Sequence, residues 1–150
     1  HPYILKEFNN RWFLVGKKNR EKQLLTLALD RIEGIDFDLK TKYVQGKFNG
    51  DDYYKNTIGV TVLNDAQCKE VVLEIDRTNA PYVITKPLHH TQEVLEELPN
   101  GGFRVKIKVH LNFELERLIL GFGNSIEVIS PKILRNKIKR KLISALKWYE

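Results

Sequence analysis

The chain has no methionine among its 150 residues and a single cysteine, Cys68. One thiol forms no intrachain disulfide and builds no cysteine zinc site, which fits a reducing, cytoplasmic setting. Starting at His1 with no initiating methionine, the chain reads as a piece of a longer protein. No apolar run reaches the roughly 18 residues of a membrane span, and His1-Pro2-Tyr3 does not begin a signal peptide. Neither membrane insertion nor secretion is therefore expected. Histidine is scarce as well: His1 and His110 are the only others beside the His89-His90 pair, no third ligand is on display, and no metal is expected. No spacing announces a P-loop, a nucleophile triad or a paired-carboxylate hydrolase, so the expectation is a non-enzyme without a cofactor.

What is present describes folded protein. Hydrophobic residues at 42% and mixed charge at 29% suffice for a core in one ordinary domain or two small ones. A net charge of +6 with a pI near 9.4 favours anionic partners such as nucleic acid or a nucleotide.

Tyr3–Phe8 and Trp12–Val15 flank Asn9-Asn10-Arg11, and asparagine tolerates the positive φ of a hairpin turn. A polar loop, Lys17–Lys22, leads to a strand from Gln23 to Leu29. The alternation of Ile35, Phe37 and Leu39 after Gly34 predicts one more short strand or extended segment. Asp51 or Asp52 is expected to cap a short helix, Ile58–Val62 to return to strand, and Asn64–Gln67 to turn. A second pattern follows: a strand at Val71–Ile75, a short helix or turn at Arg77–Tyr82, and an extended portion at Thr91–Leu95. Pro99-Asn100-Gly101-Gly102 then turns into the strand Phe103–Val109. Asn112 predicts an N-cap, with Leu115, Leu118, Ile119 and Phe122 on one helical face and Gly121 and Gly123 ending it. Ile126–Ile129 is a strand, and Pro131 opens a basic helix running to Tyr149, with Leu134, Ile138, Leu142, Ala145 and Tyr149 as its apolar stripe. This succession has a ferredoxin-like order with an extension.

Arg11-Trp12-Phe13-Leu14-Val15-Gly16 followed by Leu29-Asp30-Arg31-Ile32 resembles the WYL-domain family, which is named for a Trp-Tyr-Leu triplet. Pro2-Tyr3, Pro87–Gln92, Asn112-Phe113-Glu114-Leu115, Gly121-Phe122-Gly123 and Val128-Ile129-Ser130-Pro131 fall in the family's order, so the resemblance covers the whole chain. It implies an α+β fold: an Sm-like or SH3-like small β-barrel over residues 1–68, then a ferredoxin-like α/β C-terminal extension over 69–150. Two departures stand out. Phe13 replaces the family's tyrosine and has no hydroxyl to bond with, and Leu24-Leu25-Thr26 lacks the basic residue often found shortly before Leu-Asp-Arg-Ile.

The expected ligand-binding residues are Arg11, Trp12, Phe13, Arg31, His89, Gln92 and Arg104. A guanidinium fork offers paired donors to phosphate or carboxylate, and the resemblance implies that Arg31 lines a basic face of the barrel. The structural alternative for Arg31 is a salt bridge with Asp30 or another acid. Trp12 is either a base-stacking platform or, as is commoner for a strand aromatic, a core anchor. His89, His90 and Gln92 offer donors to a ligand or belong to a hydrogen-bonded strand edge. Arg104, Lys106 and Lys108 alternate with apolar residues, and such a like-charged row suits a binding surface unless acids lie nearby. The resemblance implies the effector-sensing and homodimerising region of a bacterial transcriptional regulator, binding a nucleic acid or nucleotide and controlling a helix-turn-helix DNA reader upstream. The alternative is an Sm-like accessory module that binds single-stranded nucleic acid directly.

Overall fold

Strand alternation and asparagine turn chemistry build the first part of the molecule. The computed structural model describes residues 1–21, 23–63 and 67–150, and the chain divides into two units, His1–Lys55 and Asn56–Glu150. In the first, β1 (Pro2–Phe8), β2 (Arg11–Lys17) and β3 (Leu24–Ala28) form an antiparallel sheet with β2 in the middle. Asn9 and Asn10 take φ of 51° and 60°, which closes the expected hairpin with Phe8 opposite Arg11. β3 ends one residue early, and the chain leaves it through a 3-10 turn, Leu29–Arg31. Val15 is completely buried. The helix α1 (Gly50–Tyr54) is capped by Asn49, whose side chain accepts from the backbone N–H groups of Asp51 and Asp52. Asn49, still extended, precedes the first helical residue; the two aspartates expected as caps fall in the first turn, where acids suit the helix dipole. Around α1, Phe48 stacks on Tyr3 and meets Tyr53 edge-on, while the Lys6 ammonium lies 4.7 Å from the Tyr54 ring centroid.

Among the described residues this unit has three strands and no closed barrel. The alternating Ile35, Phe37 and Leu39 pair with no strand and are more than four-fifths exposed. Ile58–Val62, expected as another strand, is irregular because its backbone is held elsewhere. The Asn112 amide donates to the Ile58 and Thr61 carbonyls at 2.8 and 3.0 Å, and the Glu114 carboxylate accepts from the Thr61 N–H and hydroxyl at 3.1 and 2.7 Å. A segment whose polar groups are engaged by side chains is not available to extend a sheet. The turn expected at Asn64–Ala66 and the end of the loop at Lys22 lie outside the described residues.

The second unit contains β4 (Lys69–Ile75), α2 (Ala80–Thr85), β5 (Glu93–Glu97), β6 (Phe103–Val109), α3 (Phe113–Gly121), β7 (Ile126–Ser130) and α4 (Lys132–Leu146). Its sheet runs β5-β6-β4-β7 with every neighbour antiparallel. Alternation places Val71, Leu73 and Ile75 of β4 and Val105, Ile107 and Val109 of β6 on one face, where they form a core with Leu115 and Ile119 of α3 and Leu134 and Ile138 of α4. Asn112 caps α3 as expected, accepting from the Leu115 N–H at 3.0 Å. Pro131 is the N-cap of α4 rather than its first residue, and the helix ends at Leu146. The stripe expected along α4 is buried only at Leu134 and Ile138; Leu142, Ala145 and Tyr149 are exposed. Among the described residues no helix is long and apolar enough to cross a membrane.

One acid ties α4 to α3. The Glu116 side chain, only 7% exposed, receives Lys137 at 3.1 Å and Lys141 at 2.8 Å. Burial pushes its pKa up, but the hydrogen bonds from Lys141 and Lys137 outweigh burial and hold it below the ordinary glutamate value. A carboxylate whose folded pKa is depressed stabilises the fold above its unfolded pKa and loses that contribution as pH falls through the folded one. Glu116→Gln is expected to lower the unfolding free energy at neutral pH by about 1–3 kcal/mol. Urea unfolding at pH 7 and again near pH 3 should show the difference from wild type shrinking in acid.

Candidate functional site

β2 and β3 are held in a register that sets Phe13 opposite Ala28 and Val15 opposite Thr26. Alternation then puts Arg11, Phe13, Thr26 and Ala28 on one face of the sheet. Ala28 has only a methyl group beside the Phe13 ring, and the 3-10 turn after it brings Arg31 and Ile32 alongside. The result is an open groove of about 320 Å³ lined by Arg11, Phe13, Thr26, Leu27, Ala28, Arg31 and Ile32. Three of the expected residues, Arg11, Phe13 and Arg31, therefore share one wall-to-wall site. Thr26 joins them at the place where the sequence lacks the family's basic residue.

The two arginines differ in state. Arg11 Nε lies 3.1 Å from Asp30 Oδ2, with both side chains about half exposed at 48% and 50%. Arg31, whose expected structural partner was Asp30, makes no ion pair with the described residues. Asp30 turned the other way because it sits on the 3-10 turn beside the start of β2, within reach of Arg11. An exposed guanidinium next to an aromatic ring and small apolar surface can take a phosphate or carboxylate on its fork while a flat group lies on the ring. Phe13 contributes a π face and no hydrogen bond.

Trp12 points to the opposite face of β2 and is 51% exposed, so the core-anchor reading fails. It does not line the groove. On that face it accompanies Leu5 and Leu27, which are also exposed.

His89, Gln92 and Arg104 belong to the second unit and are occupied there. Gln92 bridges a loop: its amide oxygen accepts from the Leu88 N–H at 2.9 Å and its amide nitrogen donates to the Val83 carbonyl at 2.8 Å. His89 Nδ1 is 2.8 Å from the Thr91 hydroxyl, which accepts the Lys108 N–H at 2.9 Å, and its ring lies 4.2 Å from that of His90. The two histidines lie in the bend and turn before β5 and not on a strand, and Thr91 links them to the edge of β6. Arg104 sits between Glu74 on β4 and Glu96 on β5, with Nε donating to Glu74 at 2.9 Å and its two terminal nitrogens to Glu74 and Glu96. The hydrogen bond that Arg104 donates to Glu74 is the main cause of its raised pKa, and Glu93 at 2.9 Å does the same for Lys106. Two of the three ladder residues on β6, Arg104 and Lys106, are thus paired with acids on neighbouring strands, and Lys108 lies opposite Glu70 in register. The charges alternate across the sheet, a pattern that one strand's sequence cannot show.

Thr26, Ala28 and Ile32 escaped the sequence reading as site residues. A small residue opposite an aromatic is a usable signal only after the strand register is known. Among the described residues no group of three or more His, Cys, Asp or Glu side chains is arranged to hold a metal ion.

The WCX domain family matches residues 69–146 and the WYL domain family residues 1–37. The first match alone spans 78 of the 150 residues, more than half the chain. The chain is similar to Protein PafC of Mycobacterium leprae (strain TN), with 32% identity over 54 residues, 36% of this chain and 17% of that protein. Among solved structures it is similar to the proteasome accessory factor B/C (PafBC) of Arthrobacter aurescens, with a TM-score of 0.47 and 18% identity over 99% of this chain and 22% of that one. The chain spans about a fifth of the length of these relatives.

Gln92→Ala is expected to destabilise the second unit by about 1–3 kcal/mol, because it leaves the Leu88 N–H and the Val83 carbonyl without their partner. Urea unfolding followed by circular dichroism measures this, and an unchanged midpoint would remove the structural role given to Gln92.

Proposed function

We propose a function from one premise: this chain belongs to the WYL-domain family, with a WCX domain following the WYL segment. It is read as the effector-sensing region of a transcriptional regulator, with no enzymatic activity, acting in the cytoplasm. The unit His1–Lys55, shorter than the expected residues 1–68, is the effector-facing domain, an opened Sm-like barrel. Residues 69–150 form a ferredoxin-like extension through which two copies pair.

The effector is a phosphate-bearing anion, a nucleic acid or a nucleotide, taken into the groove of Arg11, Phe13 and Arg31. The observation that carries this reading is Arg31: an arginine exposed beside an aromatic ring at a groove, with no acid among the described residues engaging it. A phosphate on the Arg31 fork and a base on Phe13 use the two chemistries the site has. His89, Gln92 and Arg104, engaged within the second unit, act through its architecture and not on the effector.

Sensing follows from linkage. An effector alters the pairing of two copies, and through it a helix-turn-helix domain elsewhere in the full protein, only by the difference in its affinity for the two arrangements. Protein PafC and PafBC are much longer than this chain, which leaves ample length in a comparable protein for a DNA-reading domain.

A labelled single-stranded oligodeoxynucleotide of about ten nucleotides, close to the span of a small β-barrel site, tests the reading when titrated into the chain at several salt concentrations. Binding should weaken as salt rises, and Arg31→Ala should reduce affinity about tenfold and flatten the log–log salt slope by about 0.7, the loss of one phosphate contact. A mononucleotide triphosphate titrated in parallel distinguishes the nucleotide version. If neither probe binds at low salt, the groove is not an anion site.

A further inference from the structure

An acid at the edge of the groove, Asp30, engages one of the arginines that line it. Arg11 is one of two arginines lining it, yet the Arg11 Nε is held at 3.1 Å by Asp30, the residue immediately before Arg31. The two groove arginines are thus in different states, one neutralised by a local carboxylate and the other exposed and in no ion pair with the described residues. We propose that Asp30 is an internal competitor: its carboxylate occupies Arg11 in the empty groove, and a phosphate-bearing ligand must displace it to engage both arginines.

This rests on the anion-binding reading of the groove and deepens it. The ion pair is suited to displacement because both partners are about half exposed. Exposed pairs are weak and screened, so the carboxylate can release Arg11 at little cost when a ligand carrying two phosphate charges arrives. Asp30 is also fixed in place by its backbone. It lies in the 3-10 turn Leu29–Arg31, closed by the Ile32 N–H on the Leu29 carbonyl at 3.2 Å, so its carboxylate stays near Arg11 after release. There it repels a singly held anion but is outweighed by a ligand that bridges both guanidinium groups. The consequence is selectivity: ligands with two suitably spaced phosphates are favoured over those with one.

The opposite role for the same contact is that Asp30 orients Arg11 for the ligand. The two roles differ in sign. If Asp30 competes, Asp30→Asn tightens binding of the oligonucleotide by about threefold to tenfold, the release expected from a half-exposed pair together with a lost like charge. It leaves the salt slope nearly unchanged, because the same phosphates are neutralised once the ligand is seated on both arginines. Arg11→Ala then weakens binding more in the Asp30→Asn background than in the wild-type chain, a coupling that removal of a remote negative charge does not produce. Asp36→Asn, which removes an equal charge elsewhere in the unit, serves as that comparison.

Unchanged or weaker binding by Asp30→Asn, with Arg31→Ala still losing affinity, overturns the competitor and leaves the groove reading standing. Equal tightening by Asp30→Asn and Asp36→Asn overturns it also, since net charge alone then accounts for the gain. Absence of binding by every variant at low salt overturns both readings together.

Discussion

The central strand of the first sheet is held on both sides, by β1 across Phe8–Arg11 and by β3 across Phe13–Ala28, and the candidate site exists only in that register. Side chains on a strand alternate faces with a period of two, so a slip of one residue would put Trp12 and Leu14 on the groove face in place of Arg11 and Phe13. The Asn9-Asn10 turn, with both residues at positive φ, sets the β1–β2 pairing, since a two-residue loop of this twist permits one registration of the flanking strands. Turn chemistry at Asn9-Asn10 thereby determines which aromatic at the start of β2 lines the groove beside it.

Charge is distributed by a second constraint. The chain carries a net +6, but much of its basic character is matched within the fold. Arg104 and Lys106 face glutamates on neighbouring strands, Lys137 and Lys141 converge on Glu116, and Arg135 meets Glu127. These pairs tie β5 to β6, β4 to β6, and α3 to α4, so the charges with the most regular spacing in sequence serve the second unit's architecture. Net charge therefore locates no site. The residue that distinguishes itself is one whose acid neighbour in sequence, Asp30, is engaged by a different arginine.

The boundary between the units has a polar origin. Asn112 and Glu114 grip the backbone of Ile58 and Thr61, and Gly59 at φ +81° leaves the room this needs, because a Cβ there would meet the Glu114 Cγ at 2.5 Å. The Asn-Phe-Glu-Leu string that contributed to the family resemblance is thus a clasp for a preceding segment. It draws Asn56–Val62 into the second unit and away from the sheet that alternation alone would have it join.

Local physics was legible in the residues themselves. The Asn-Asn hairpin, the alternating apolar and basic strand Phe103–Val109, the Asn112 cap and the order of elements after Lys69 depend on short-range sterics, hydrogen bonding and period, which a sequence displays directly. The family, too, was legible, because ordered motifs survive without coordinates. The exposure of Trp12, the absence of a fourth strand over Ile35–Leu39 and the pairing of Arg104 and Lys106 with acids were not, since each depends on what lies across a strand or beyond a loop. By itself the sequence determined the local elements and their succession, through interactions between residues a few positions apart. Only the tertiary structure decided which aromatic is displayed, which basic side chains already have acids, and that Arg31 stands open beside Phe13, because burial and ion pairing are properties of neighbours distant in the chain.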